Sequence, residues 1–106
     1  MNIYKNRWGI PLDLAKLVFE RDKKCIYCHC ELIRNGQKSI GSWEHIINDA
    51  KIICPENIAR CCRSCNSSKG TKSLSQWLTS SYCVSRNIKI ETVADIVRIH
   101  VQKFGS

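Results

Sequence analysis

The sequence predicts a small α+β domain held together by a structural metal ion. Three features of its 106 residues lead there: two widely separated CxxC pairs, two short strand-like segments running into a short helix, and helical periodicity at both ends.

The chain has room for one domain, read as spanning 1–106. A domain this short buries a modest core and often needs a staple. Hydrophobic residues make up 43% and charged residues 25%, a globular balance rather than a disordered one. No apolar run is long enough to cross a membrane as a helix. The opening stretch from Met1 to Trp8 lacks the apolar centre of a signal peptide, so a cytoplasmic protein is expected. In a reducing cytosol eight cysteines argue for metal rather than disulfides.

Cys25 and Cys28 form one CxxC and Cys62 and Cys65 the other, with 33 residues between the pairs. Two intervening residues let both sulfurs of a pair reach one ion from a single turn. Two such turns complete a tetrahedral shell of four thiolates, the preferred geometry of structural zinc. Cys30, Cys54, Cys61 and Cys83 lack this spacing and read as small buried hydrophobes. Whether any of them, with His29, holds a second metal is open at this point.

The elements follow from periodicity. Pro11 can sit in a helix's first turn, and Leu12, Ala15, Leu17, Val18 and Phe19 then recur at helical spacing, so 11–22 reads as a helix. Asn35-Gly36 and Gly41 make 34–42 a hairpin or loop. Ser42 to Ile47 is a candidate strand with Trp43, His45 and Ile47 on one face; Asn57 to Cys62 is a second. A short helix follows from Cys65 to Lys69, ended by Gly70. Ser73 caps a helix over about 73–83, and a last helix runs over about 91–103 with Ile90, Val93, Ile96, Val97, His100, Val101 and Phe104 in one stripe. That stripe either covers the core or forms the seam of a homodimer.

Seventeen Lys and Arg against nine Asp and Glu give a net charge of +8. Such an excess attracts polyanions, nucleic acid first among them. Arg60, Arg63, Lys69 and Lys72 cluster around the second CxxC. With Lys51, and Lys38 from the hairpin, they line a path for a DNA backbone. The alternative is an ordinary solvated face. Trp8, Trp43 and Trp77 read as packing residues rather than base-stacking ones.

Within this frame stand Glu44-His45, then Asn57, then Cys62-Arg63-Ser64-Cys65-Asn66-Ser67-Ser68-Lys69-Gly70. The run from about 25 to 70 resembles the HNH nuclease family. Zinc-bearing members of that family carry CxxC, an acid–His pair, Asn, and a second CxxC followed by Asn or His and a Lys. The resemblance implies a ββα-metal (His-Me finger) core. It assigns His45 as the general base, Glu44 as a ligand of a catalytic magnesium or other divalent ion, and Asn57 as the residue that orients the base. It assigns Asn66 as the ligand completing that metal site and Lys69 as a phosphate contact. The chemistry is consistent with these roles: an imidazole that is neutral near pH 7 accepts a proton from water, and a hard cation offsets charge on phosphate and the departing oxygen. Neighbours on a strand face opposite ways, so Glu44 and His45 share a site only through a bulge or the strand's end. The implied activity is DNA cleavage leaving 5′-phosphate and 3′-hydroxyl. A zinc-knuckle module that binds nucleic acid without cutting it is the competing expectation.

Overall fold

The computed structural model describes residue 4, residues 6–32 and residues 41–105. The expected hairpin at 34–42 therefore lies outside the described residues except for its last two, as does Lys38. Helix α1 (Leu12–Arg21) leads into the first CxxC. Strands β1 (Gly41–His45) and β2 (Ile58–Cys62) form an antiparallel pair, and helix α2 (Arg63–Lys69) follows without a loop. Helices α3 (Leu74–Leu78), α4 (Ser81–Ser85) and α5 (Asp95–Phe104) complete the chain. No helix among the described residues is long and apolar enough to cross a membrane.

The register runs unbroken from Gly41 opposite Cys62 to His45 opposite Ile58. Alternation along each strand puts Trp43, His45, Ile58 and Arg60 on one face and Ser42, Glu44, Ala59 and Cys61 on the other. On the first face Ile58 packs with Ile10, Ala15 and Val18, so α1 and the segment before it cover that side. On the second face Ala59 and Cys61 join the larger core with Ile26, Tyr27, Trp77 and Val97. The two-stranded sheet is thus buried between two unequal cores.

Helix α1 buries Ala15 and Val18, three residues apart, with Asp13 in its first turn and Arg21 in its last, each complementing the helix dipole. Pro11 is its extended N-cap rather than its first helical residue. Asp22, which ends the helix, is 4% exposed. It accepts two hydrogen bonds from the Arg21 guanidinium, at 2.7 and 2.8 Å, and one from the Arg60 backbone amide at 3.1 Å. Arg21 in turn donates to the Pro55 and Ile58 carbonyls. This cluster joins α1 to β2.

Two expected helices are shorter than their periodicity indicates. The segment 73–83 breaks into α3 and α4 because Ser80 caps a new helix, its hydroxyl accepting from the Cys83 amide, while the Thr79 hydroxyl donates to the Gln76 carbonyl. Helix α5 begins at Asp95 rather than near 91, because the Thr92 hydroxyl bridges Asn87 and Lys89 and holds a turn there. The Ala94 amide then donates to the Ile26 carbonyl and pins the start of α5 to the first CxxC. The stripe on α5 faces inward, with Ile96, Val97 and His100 buried.

Candidate functional site

The sulfurs of Cys25, Cys28, Cys62 and Cys65 lie within 4.8 Å of one another, the one such His/Cys/Asp/Glu grouping among the described residues. A tetrahedral ion with Zn–S bonds of about 2.3 Å sets neighbouring sulfurs roughly 3.8 Å apart. Cys28 and Cys62 are 3.7 Å apart. The Cys25 sulfur accepts from the Tyr27 and Cys28 amides, and the Cys62 sulfur from the Cys65 amide. The Tyr82 hydroxyl donates to the Cys65 sulfur at 3.3 Å. Donors aimed at sulfur favour thiolate, and the Cys25 thiol is pulled down to about 5, chiefly by its hydrogen bond with Cys65. Donor set and spacing both fit a structural zinc ion. Cys62 is also the N-cap of α2, so the four-cysteine cluster sets where that helix starts.

Cys61 and Cys83 are fully buried, and burial pushes both thiols up. Cys30 is pushed up by burial and by the neighbouring Cys28 and Cys62. These are protonated, apolar side chains. His29 is exposed, its Nε2 2.5 Å from the Thr92 carbonyl.

His45 closes β1 and is 8% exposed. Its ring meets Trp8 edge to face at a centroid distance of 5.2 Å. Its Nε2 is buried and has no hydrogen-bond partner among the described residues. Burial holds the imidazole below its usual pKa; the Asp49 carboxylate pulls it up and the Lys69 ammonium pushes it down.

Asn57 is fully buried and every polar atom of its amide is used. Its oxygen accepts from the Ile47 amide at 2.7 Å, and its nitrogen donates to the Ile47 and Ile52 carbonyls at 3.3 and 3.1 Å. Its backbone carbonyl accepts from the Ile46 amide, directly after His45. Asn57 therefore locks the 46–57 loop and the backbone on which His45 sits. It is a positioning residue, out of reach of any substrate.

Glu44 and Lys69 depart from their expected places. No bulge turns Glu44 toward His45; the two sit on opposite faces of β1. Glu44 is 4% exposed and Lys69 1%. The Lys69 Nζ lies 3.2 Å from Glu44 Oε2 and donates to the Ile46 carbonyl at 2.7 Å. The Tyr27 hydroxyl donates to the same Glu44 oxygen at 2.5 Å. Burial pushes the Glu44 carboxyl up, opposed by Lys69 and Tyr27, and pushes the Tyr27 hydroxyl up so that it keeps its proton. Lys69 is thus an internal counter-ion, not a phosphate contact at the surface. The Glu44 oxygen that carries both bonds does not fit a divalent ion without release of the lysine.

Asn66 lies in the middle of α2, half-buried, with no side-chain hydrogen bond among the described residues. Its backbone carbonyl accepts from Gly70, whose φ of 53° ends the helix. Arg63, Lys72 and Lys51 are exposed. Arg60 is not free to reach a phosphate: its guanidinium stacks 4.1 Å over Phe19 and 5.8 Å from Trp43, and burial lowers its pKa. Trp77 is fully buried, and Trp8 and Trp43 pack against the smaller core, as expected of packing residues.

Sequence reasoning missed Tyr27, whose position inside the first CxxC carries no hint of the carboxylate it meets 17 residues on. It gave no role to Asp49, whose carboxylate pulls the His45 imidazole up. Compared with protein-family models, with curated proteins and with solved structures, the chain matches none.

Proposed function

We propose that this protein is a DNA-cleaving phosphodiesterase of the HNH type, with His45 as the general base. The observation that carries the reading is the β1–β2–α2 unit joined to the four-cysteine cluster, with a desolvated histidine at the end of β1 and Asn57 locking the loop behind it. The unit has the order expected of a ββα-metal core. A histidine held below its usual pKa is neutral at pH 7 and ready to accept a proton.

In the reaction, His45 takes a proton from a water molecule as its oxygen attacks phosphorus in line. The bond to the 3′ oxygen breaks, that oxygen takes a proton from a solvent water, and His45 returns its own proton to solvent, giving 5′-phosphate and 3′-hydroxyl ends. A divalent ion such as magnesium would offset charge on the phosphate and the leaving oxygen. The family pattern gives Glu44 and Asn66 to that ion, but Glu44 is committed to Lys69 and Tyr27. Exposed Arg63, Lys72 and Lys51 supply the positive surface for the DNA backbone.

One observation favours a second reading, a zinc-knuckle module that binds nucleic acid without cutting. It is the buried Glu44–Lys69 pair, which occupies the acid the family assigns to metal. Plasmid cleavage with magnesium or manganese separates the two. The nuclease reading expects cutting by the wild type and a loss of about 100-fold or more in His45→Ala. DNA binding without cutting by the wild type establishes the module instead. Cutting that survives His45→Ala removes His45 as the base.

A further inference from the structure

We infer that a cavity beside the β1–β2 unit receives a single unstacked nucleotide of the nucleic-acid strand. The cavity encloses about 400 Å³. One wall is the chain at 46–48, starting one residue after His45. A second is the turn at 71–74 that follows α2, and a third is the last turn of α5 with His100 and Phe104. The cavity therefore adjoins both elements that hold the proposed site. The inference rests on the nucleic-acid reading above and adds which part of the strand is held, and by what.

Its lining matches the parts of a nucleotide. Phe104 presents an aromatic ring, 36% exposed, 5.0 Å from the imidazole of His100 and tilted 38° to it. Aromatic faces hold bases by stacking regardless of their identity. Lys72 brings the cationic group among the lining residues, suited to a phosphate. Asn48, Thr71 and Ser73 add hydrogen-bonding side chains along the polar edge.

His100 supplies the most specific feature. It is 1% exposed, and its Nδ1 lies 2.8 Å from the Glu56 backbone carbonyl. A carbonyl only accepts, so Nδ1 carries the proton and donates. Nε2 is then the nitrogen with a free lone pair, able to accept from an N–H on the edge of a base. Burial lowers the pKa of this imidazole and favours that neutral form. The Glu56–Lys103 ion pair, at 2.8 Å, holds the carbonyl and α5 together from behind. A closed, fixed imidazole beside an open aromatic ring and a lysine is more than the packing of α5 requires.

The test is NMR titration of the full, zinc-loaded chain with short single-stranded oligodeoxythymidylate and no added divalent ion. Thymidine 5′-monophosphate serves as a separate probe. The inference expects saturable shifts at 46–48, at 71–74 and at the His100 ring. It expects affinity about tenfold weaker in Phe104→Ala and weaker binding in Lys72→Gln, with the zinc content of both variants unchanged and both still folded by circular dichroism. His100→Gln should weaken binding without abolishing stacking on Phe104. Shifts confined to the Arg63 side of α2, or equal affinity in Phe104→Ala, overturn it. Equal saturation by the free mononucleotide and the oligomer overturns the strand as the source and leaves a free-nucleotide site. Shifts in the cavity from a protein that never cuts keep this inference and remove the nuclease reading; cutting with no shift in the cavity does the reverse.

Discussion

The ammonium of Lys69 sits 3.2 Å from a carboxylate oxygen of Glu44, both side chains at most 5% exposed. A pair this deep is supported because each member has a second partner: Tyr27 donates to Glu44, and Lys69 donates to the Ile46 carbonyl. The pair joins α2 to β1 across the base of the proposed site.

Removing one member strands the other. Lys69→Met should cost about 3–5 kcal/mol, because it leaves a buried carboxylate with only the Tyr27 hydroxyl. The double variant Lys69→Met with Glu44→Gln should regain much of that loss. Urea denaturation of the three proteins measures the coupling, and additive effects would refute a shared pair. DNA affinity, in contrast, should not depend on the charge of Lys69 in any variant that remains folded.

Zinc should be stoichiometric, about one ion per chain, and essential to the fold. Cys62→Ala removes both a sulfur of the four-cysteine cluster and the side-chain N-cap of α2. It should abolish tight zinc binding and the cooperative melt. Cys54→Ser, distant from the cluster in role and only half-buried, should change neither. Metal analysis alongside circular dichroism gives both readouts.

Two histidines shape the response to acid. Burial holds His45 and His100 below the ordinary value near 6.5. The unfolded chain therefore binds more protons than the folded one as pH falls through 6.5, and the stability these groups contribute above that pH is lost toward their folded values. Glu44, pushed up by burial, acts with the opposite sign. Stability should fall as the pH drops below about 6.5, and His100→Gln should flatten the fall. In cleavage assays the acid limb, set by His45, should lie below about pH 6.5. A limb above that value would show that another group limits the reaction.

The surface cations separate from the interior ones in salt dependence. Arg63→Gln and Lys51→Gln should each weaken DNA binding and reduce the slope of log K against log salt by about 1. Arg60→Gln should leave that slope alone and lower stability instead, since its guanidinium is stacked on Phe19 and fills the space beside Gly41. Fluorescence-anisotropy titrations over a range of salt measure both effects.

The four-cysteine cluster, the order strand–strand–helix, a helix over about 11–22 that the structure places at 12–21, and Gly70 as the end of α2 were legible without coordinates. Each depends on spacing along a few residues, which local geometry converts directly into structure: two residues between cysteines, period 3.6 in α1, a glycine where φ is positive. Alternation along β1 even warned that Glu44 and His45 point apart, and the unbroken register bears that out. What tertiary structure decided was the fate of the charges. Lys69, Arg60 and Glu44 look like surface groups in a basic sequence, yet Lys69 and Glu44 are buried and Arg60 half-buried against partners far along the chain, Tyr27, Phe19 or one another. A charged side chain is driven outward by the cost of desolvation unless the fold brings a counter-charge and donors to it, and no local pattern records which distant residues will arrive.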